Sequence, residues 1–226
     1  MDNSRENIAN LLGANLTFFN KISMQEQSLL TDTAQIKTYP KNDHLYQGGG
    51  ECSGLIILLD GQIRAYISSS EGKEITLYRL LSGDTCIMSA SCMLKDINFD
   101  INLDMEKDCQ ILLIPSHVFE GLSNKNPLVK EFTLSLVSSR FTDVMWALEQ
   151  FVFSSMGKRL AGFLVNQSIL NSDTKLLLTH EYIANDLGTA REVITRLLKY
   201  FQDDGLVLLS RGSLEILDID KLKKLA

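Results

Sequence analysis

The sequence predicts an α+β protein in which a small N-terminal antiparallel β-barrel or sandwich precedes a long helix and a C-terminal winged helix-turn-helix. Three observations support this prediction. Short runs rich in Ile, Leu, Tyr and Thr alternate with turn signals between residues 36 and 114. Residues 128–151 contain no Gly or Pro and have apolar residues at helical spacing. Residues 179–217 combine two short amphipathic segments, separated by a glycine, with two strand-like runs.

The N-terminal part begins with residues 4–35, which are predicted to be mostly helical. The Asp60-Gly61 pair between two apolar runs is typical of a two-residue β-hairpin. Residues 1–152 carry a net charge of −7 and residues 153–226 a net charge of +1. Any nucleic-acid surface is therefore expected in the C-terminal part. The predicted strands are 36–39, 54–59, 62–68, 74–80 and 109–114.

The long helix carries an apolar seam at alternating spacings of three and four residues. This heptad pattern is typical of a helix that pairs with a partner helix, although a helix packed on its own domain gives similar spacing. A second stripe, Leu128, Phe132, Leu136 and Met145, is predicted to cover the barrel. The seam, which we interpret as a dimer interface, consists of Leu134, Val137, Phe141, Val144 and Leu148.

A helix-turn-helix is predicted after residue 178. Thr179 can cap a helix over residues 180–187, and Gly188 supplies a tight turn. Thr189 is expected to begin the second helix, because Glu192 three residues later completes a capping-box pattern.

The second helix separates polar from apolar residues completely at 100° per residue. Its predicted buried side includes Tyr200, and its polar side suits the major groove, where Arg pairs with guanine and Glu with cytosine. A strand–turn–strand pattern follows, with Arg211 at the turn in position to contact phosphate. A solvated amphipathic helix has the same pattern. The predicted DNA-contacting residues are Thr179, Thr189, Arg191, Glu192, Thr195, Arg196, Lys199 and Arg211.

The segment from Ile183 to Lys199, IANDLGTAREVITRLLK, resembles the helix-turn-helix of the family of the cyclic-AMP receptor protein and the fumarate-nitrate reduction regulator (CRP/FNR). The order of parts matches this family over nearly the whole chain. The resemblance implies a cyclic-nucleotide-binding-like, effector-sensing β-roll over 1–125, a dimerisation helix and hinge over 126–151, and a DNA-binding domain over 152–226. It also implies a homodimer on a two-fold symmetric site in double-stranded DNA, with RNA polymerase as a further partner.

The β-roll departs from the family's known ligand sites. Cyclic-nucleotide-binding members carry a Gly-Glu pair and a later Arg-Ser pair, which hold ribose and phosphate. Here Ile87 and Met88 occupy the Gly-Glu positions, and no Arg lies between Arg79 and Arg140. Iron–sulfur members use an N-terminal cysteine cluster, whereas the first cysteine here is Cys52. Neither cyclic AMP nor such a cluster is therefore expected, and the cofactor stays unidentified.

The corresponding pocket offers hydroxyl and thiol groups instead. Cys86 and Cys92 are either buried small residues or a thiol, haem or metal sensor. The effector is accordingly a small molecule or redox signal, unless the pocket is filled by its own side chains and the regulator is constitutive. The predicted pocket residues are Thr85, Cys86, Met88, Ser89, Ser91 and Cys92.

Two other functions are compatible with this architecture: a cupin-type enzyme and a sensor or adaptor that does not bind DNA. Metal cupins need clustered ligands, but His44, His117 and His180 are far apart in sequence, so neither a metal site nor an enzyme is predicted. The apolar runs are too short for a membrane span, and no secretory signal begins the chain. Four widely spaced cysteines fit reduced thiols in the cytoplasm, where we expect the protein.

Overall fold

The structure is a computed structural model that describes residues 2–46, 54–87 and 101–226. The helices are α1 (Asp2–Asn15), α2 (Met24–Thr33), α3 (Ser116–Lys125), α4 (Pro127–Phe153), α5 (Met156–Asn171), α6 (His180–Leu187), α7 (Arg191–Asp203) and α8 (Ile219–Leu225), with a 3₁₀ turn at Phe19–Lys21. The strands are β1 (Gln35–Tyr39), β2 (His44–Tyr46), β3 (Gly54–Asp60), β4 (Gln62–Ser68), β5 (Glu74–Leu81), β6 (Thr85–Cys86), β7 (Asn102–Met105), β8 (Cys109–Pro115), β9 (Lys175–Leu176), β10 (Val207–Ser210) and β11 (Ser213–Ile216).

The chain divides by its contacts into two units. The first unit comprises Met1–Ile67 and Leu77–Val144, and the second comprises Ser68–Thr76 and Met145–Ala226. Each unit has a hydrophobic core of its own.

The first unit contains the predicted β-roll. Two antiparallel four-stranded sheets have the orders β1-β8-β3-β6 and β2-β7-β4-β5. All five predicted strands are present, and β2, β6 and β7 are additional strands of four residues or fewer. Helix α3 contacts both β3 and β8, so the central strand β3 is apolar along most of its length rather than alternating. The largest fully buried side chains of this core include Leu55, Ile56, Ile57, Leu58, Ile63, Leu80, Leu103 and Phe119.

The prediction of a hairpin at Asp60-Gly61 is wrong. Strands β3 and β4 flank this pair but belong to different sheets, so the turn carries the chain from one sheet to the other. Gly61 adopts a φ of +103°, and a Cβ at this position would lie 2.4 Å from the carbonyl oxygen of Asp108. The glycine is needed because two backbone segments approach closely at the corner.

Helix α4 has one face in the core of the first unit. Val129 is fully buried, and Phe132, Leu136 and Val137 pack against the core. The predicted barrel-facing stripe is therefore correct for Phe132 and Leu136 and wrong for Leu128 and Met145, which are exposed. In the seam, Val137 and Val144 are half-buried, whereas Leu134, Phe141 and Leu148 are exposed.

The second unit is built around α5, α6 and α7. A small antiparallel sheet of order β10-β11-β9 contacts α7 through β10, and α8 packs against α5. The predicted wing is thus present, with β9 as a third strand that the sequence pattern did not indicate. The core of this unit includes Leu160, Leu164, Ile183, Leu187, Ile194, Leu198, Val207 and Leu214.

We predict that Gly61→Ala destabilises the first unit more than Gly83→Ala. Both glycines have positive φ, but a Cβ on Gly83 would meet nothing within 4 Å. Gly83→Ala should therefore lower the free energy of unfolding only by the cost of holding alanine at a positive φ, about 1–3 kcal/mol. Gly61→Ala adds a clash with the Asp108 backbone. Urea unfolding of the two variants measures the difference, and equal losses would contradict the close approach at the corner.

Candidate nucleic-acid interface and effector site

Helix α6 begins and ends as the sequence predicts. The Thr179 hydroxyl caps its N-terminus by accepting a 3.1 Å hydrogen bond from the Tyr182 amide. Gly188 ends it in the left-handed conformation, with φ 62° and ψ 44°. The turn that follows therefore has the geometry a helix-turn-helix requires.

The capping box predicted for α7 is absent. The helix begins at Arg191, and its N-cap, Ala190, makes no side-chain cap hydrogen bond. Thr189 instead completes the end of α6, because its amide donates to the Ala184 carbonyl at 2.9 Å while the Gly188 amide donates to Asn185. These two bonds form a Schellman motif, so Thr189 is half-buried in the turn rather than at the start of a helix.

Helix α7 presents its polar side to solvent. Ile194 and Leu198 are fully buried and Phe201 nearly so, which anchors the opposite side in the core. Tyr200, predicted to be buried, is 58% exposed; it lies at the border of the apolar arc and extends the solvent-facing surface. The exposed polar residues are those predicted: Arg191, Glu192, Thr195, Arg196, Lys199 and Gln202.

A hydrogen-bonded chain joins the start of α6 to α7. The Thr195 hydroxyl donates its only hydrogen to the Arg191 carbonyl at 2.9 Å, so His180 Nδ1, 2.9 Å away, must donate to Thr195. Burial, and then the charge of Arg191, lower the pKa of His180 below its ordinary value. His180 therefore favours the neutral form with Nε2 free to accept. Sequence reasoning missed this residue as part of the site.

A cleft of about 480 Å³ lies between the first turn of α6, the start of α7 and the wing. Two arginines line it, Arg191 from α7 and Arg211 from the turn of the β10–β11 hairpin. Gly212 completes that turn with a φ of +75°. Glu181 is the one acidic residue that lines the cleft. The remaining polar lining residues are Thr179, His180, Ser210 and Ser213. The hydroxyls of Thr179, Ser210 and Ser213 can donate to a phosphate oxygen.

The predicted effector pocket is described in part. Thr85 and Cys86 are buried in β6, whereas Met88, Ser89, Ser91 and Cys92 lie outside the described residues. The structure adds two residues that sequence reasoning missed. Tyr78 of β5 is buried, and Arg140 of α4 donates from Nη2 to the Thr85 carbonyl at 3.3 Å. The signal for Arg140 was its position four residues after Leu136, on the face of α4 that packs against the β-roll.

Neither a membrane span nor a metal centre is found in the part of the chain that the structure describes. No helix there is both long and apolar enough to cross a bilayer. No group of three His, Cys, Asp or Glu side chains is positioned to hold a metal ion within those residues.

A β-roll, a long helix and a winged helix-turn-helix together define a class of transcription regulators, and comparisons with known proteins identify the family. Residues 36–126 match the cyclic nucleotide-binding domain, and residues 158–225 match the Crp-like helix-turn-helix domain. A solved structure of a Crp/Fnr-family transcriptional regulator from Eubacterium rectale is 41% identical, with a TM-score of 0.91, over 92% of this chain and 96% of that one. The chain belongs to the CRP/FNR family of transcription regulators.

Curated relatives agree with this assignment. The regulatory protein HlyX of Actinobacillus pleuropneumoniae is 27% identical over 82% of this chain and 79% of its own length. The cyclic AMP receptor protein of Thermus thermophilus is 22% identical over 92% of this chain and 95% of its own. The two relatives extend over both matched domains.

We predict that Thr179→Ala lowers the free energy of unfolding by about 1 kcal/mol, because the Tyr182 amide loses its cap. Thr174→Ala is the matched control, since Thr174 is also exposed and caps no described helix. Chemical denaturation monitored by circular dichroism measures both variants. Equal stability of the Thr179 variant and the control would contradict the role of Thr179 as a cap.

Proposed function

We propose that this regulator is a homodimer that reads a two-fold symmetric DNA sequence and responds to a small-molecule or redox signal other than a cyclic nucleotide. The observation that carries the proposal is the exposed polar side of α7, held outward by the burial of Ile194, Leu198 and Phe201. DNA as its partner implies a cytoplasmic location, and control of transcription implies contact with RNA polymerase.

The residues that contact bases in this proposal are Arg191, Glu192 and Arg196. All three are exposed near the N-terminal end of α7, the end of a recognition helix that reaches base edges in this motif. Arg can donate to guanine O6 and N7, and Glu can accept from the cytosine amino group. The family resemblance gives the same roles to the same positions.

Phosphate contacts surround this reading surface. Thr179, Arg211 and the polar lining of the cleft offer donors on one side of α7, and Lys199 extends the positive charge along the helix. Of the eight predicted DNA-contacting residues, Thr189 fits least well, because it is half-buried in the turn. Thr195 is exposed but gives its hydroxyl hydrogen to Arg191, so it can only accept.

The exposed seam of α4 supports a homodimer. Leu134, Phe141 and Leu148 recur every seven residues and are 59%, 65% and 50% exposed. Trp146 adds a further exposed aromatic side chain on the same helix. Large apolar side chains on a helix face of this length are typical of a protein–protein interface. Two parallel copies of α4 would relate the two α7 helices by two-fold symmetry, which matches the proposed DNA site.

The β-roll is the proposed sensor. Ile87, at the Gly position of the Gly-Glu pair of cyclic-nucleotide-binding members, is buried in the core. The Glu position is Met88 in the sequence, which offers no carboxylate to a ribose. Titration calorimetry with cyclic AMP tests this part, and micromolar binding would refute it.

A gel-shift assay with fragments of the source genome separates the proposed function from an adaptor or an enzyme. A DNA-reading regulator retards particular fragments in the presence of excess non-specific DNA. Uniform weak binding, or none, would count against sequence-specific recognition.

We predict that Arg196→Ala weakens binding to the best-bound fragment by about 1–3 kcal/mol and relaxes one base preference, because a bidentate contact is lost. Arg211→Ala is the matched comparison. It should weaken binding to all sequences alike. The slope of log affinity against log salt concentration should fall by about one, as expected for the loss of one phosphate contact. Fluorescence anisotropy on specific and scrambled duplexes measures both effects. An Arg196 variant with unchanged affinity and sequence preference would refute base reading by this residue.

We predict that Phe141→Asp produces monomers that do not bind the symmetric DNA site. Burial of a Phe or Leu at such a seam is worth about 1.5–3 kcal/mol, and a carboxylate there would also have to be desolvated. Ser139→Asp, an exposed neighbour outside the seam, should leave the dimer intact. Light scattering at micromolar concentration gives the mass of each variant. A stable wild-type monomer would contradict the proposed interface.

A further inference from the structure

The first unit contains a buried polar cluster, here called the Arg140 cluster, formed by Tyr78, Thr85, Cys86 and Arg140. Tyr78, Thr85 and Cys86 are 9%, 7% and 0% exposed, and the Arg140 side chain is 13% exposed. Arg140 Nε and Tyr78 Oη are buried and make no hydrogen bond with any described residue. Because an unpaired buried donor is costly, two in one cluster indicate a missing acceptor.

The guanidinium of Arg140 is held firmly but is not saturated. Its Nη1 donates to Asp143 at 2.7 Å, its Nη2 donates one hydrogen to the Thr85 carbonyl, and its Cζ lies 4.8 Å from the centre of the Tyr78 ring. These contacts leave Nε and the second hydrogen of Nη2 available. Nε lies on the same edge of the guanidinium as Nη2 and can donate a charge-assisted hydrogen bond to an oxygen of a carboxylate or phosphate. Asp143 occupies a different nitrogen and does not block this edge.

Tyr78 supplies a second donor to the same cluster. Burial, and then the neighbouring Cys86 thiol, raise the pKa of Tyr78 well above its ordinary value, although Arg140 acts in the opposite direction. The phenol is therefore neutral and carries a hydrogen to donate. The Cys86 thiol lies close enough to the Tyr78 hydroxyl to contribute to this increase.

We propose that the Arg140 cluster binds a small anion with a carboxylate or phosphate group, which accepts hydrogen bonds from Arg140 and from the Tyr78 hydroxyl. This inference rests on the proposed function, because it assigns the chemical class of the effector. The arginine comes from α4, next to Phe141 of the seam, so bound anion would contact the helix that carries the proposed dimer interface. Such a ligand can shift the regulator between two states only if it contacts them differently.

Thermal unfolding of the full-length protein without DNA tests the inference. The probes are inorganic phosphate, acetate and succinate in the millimolar range, with chloride at equal ionic strength as the reference. The wild type should be stabilised by phosphate or by a carboxylate, and the difference between the two distinguishes the ligand classes. Arg140→Gln should lower the affinity for the anion that stabilises the wild type by about 10- to 100-fold. Arg5→Gln, which changes an exposed arginine also paired with an aspartate, should have no such effect.

Tyr78→Phe keeps the test decisive if Arg140→Gln fails to fold. It preserves the ring beneath Arg140 and removes only the unpaired hydroxyl, so the unliganded protein should be at least as stable as the wild type. Its affinity for the anion should nevertheless fall about tenfold. No stabilisation of the wild type by any of the three anions, or equal stabilisation of the wild type and both cluster variants, would overturn the proposal. Gel-shift assays of the same samples show whether DNA binding is intact, and so distinguish a failure of anion binding from a failure of the proposed function.

Discussion

The exposed polar side of α7 depends on the burial of its opposite side. Ile194 and Leu198 have no solvent exposure, and the core of the second unit surrounds them with residues from α5, α6 and the wing. A helix anchored in this way cannot rotate without bringing Arg, Lys or Glu into an apolar core, which would cost several kcal/mol for each unpaired charge. The six exposed polar residues therefore form a fixed surface, and the turn at Gly188 determines where that surface begins.

Local sequence signals predicted most of this architecture. Helix α6, the turn at Gly188 and the wing were all predicted from residue types at short separation, because caps, positive-φ turns and amphipathic periods are properties of a few neighbouring residues. The same signals failed where distant partners decide the outcome. Asp60-Gly61 has the composition of a hairpin, but pairing of β3 with β8 places the two flanking strands in different sheets.

The site could be predicted on the DNA-binding side and only in part on the sensor side. The polar side of α7 follows from periodicity alone, apart from Tyr200 at its border. The links from His180 to Thr195 and from Arg140 to Thr85 span 15 and 55 residues, so no local pattern identifies the partner of either residue. The sequence of the β-roll contains no arginine in the expected place for a phosphate, yet α4 brings Arg140 against β6. Helix α4 thus combines a face in the core, a buried arginine and an exposed apolar seam.

The central claim is that the polar side of α7 reads a two-fold symmetric DNA sequence. Selection from a random DNA library by the full-length wild-type protein, followed by sequencing, tests it most directly. The account predicts enrichment of an inverted repeat whose half-site centres lie about one helical turn, roughly 10 base pairs, apart. A triple variant in which Arg191, Glu192 and Arg196 are alanine should enrich no such repeat. Enrichment of the same repeat by the triple variant, or of no sequence by the wild type, would contradict the claim.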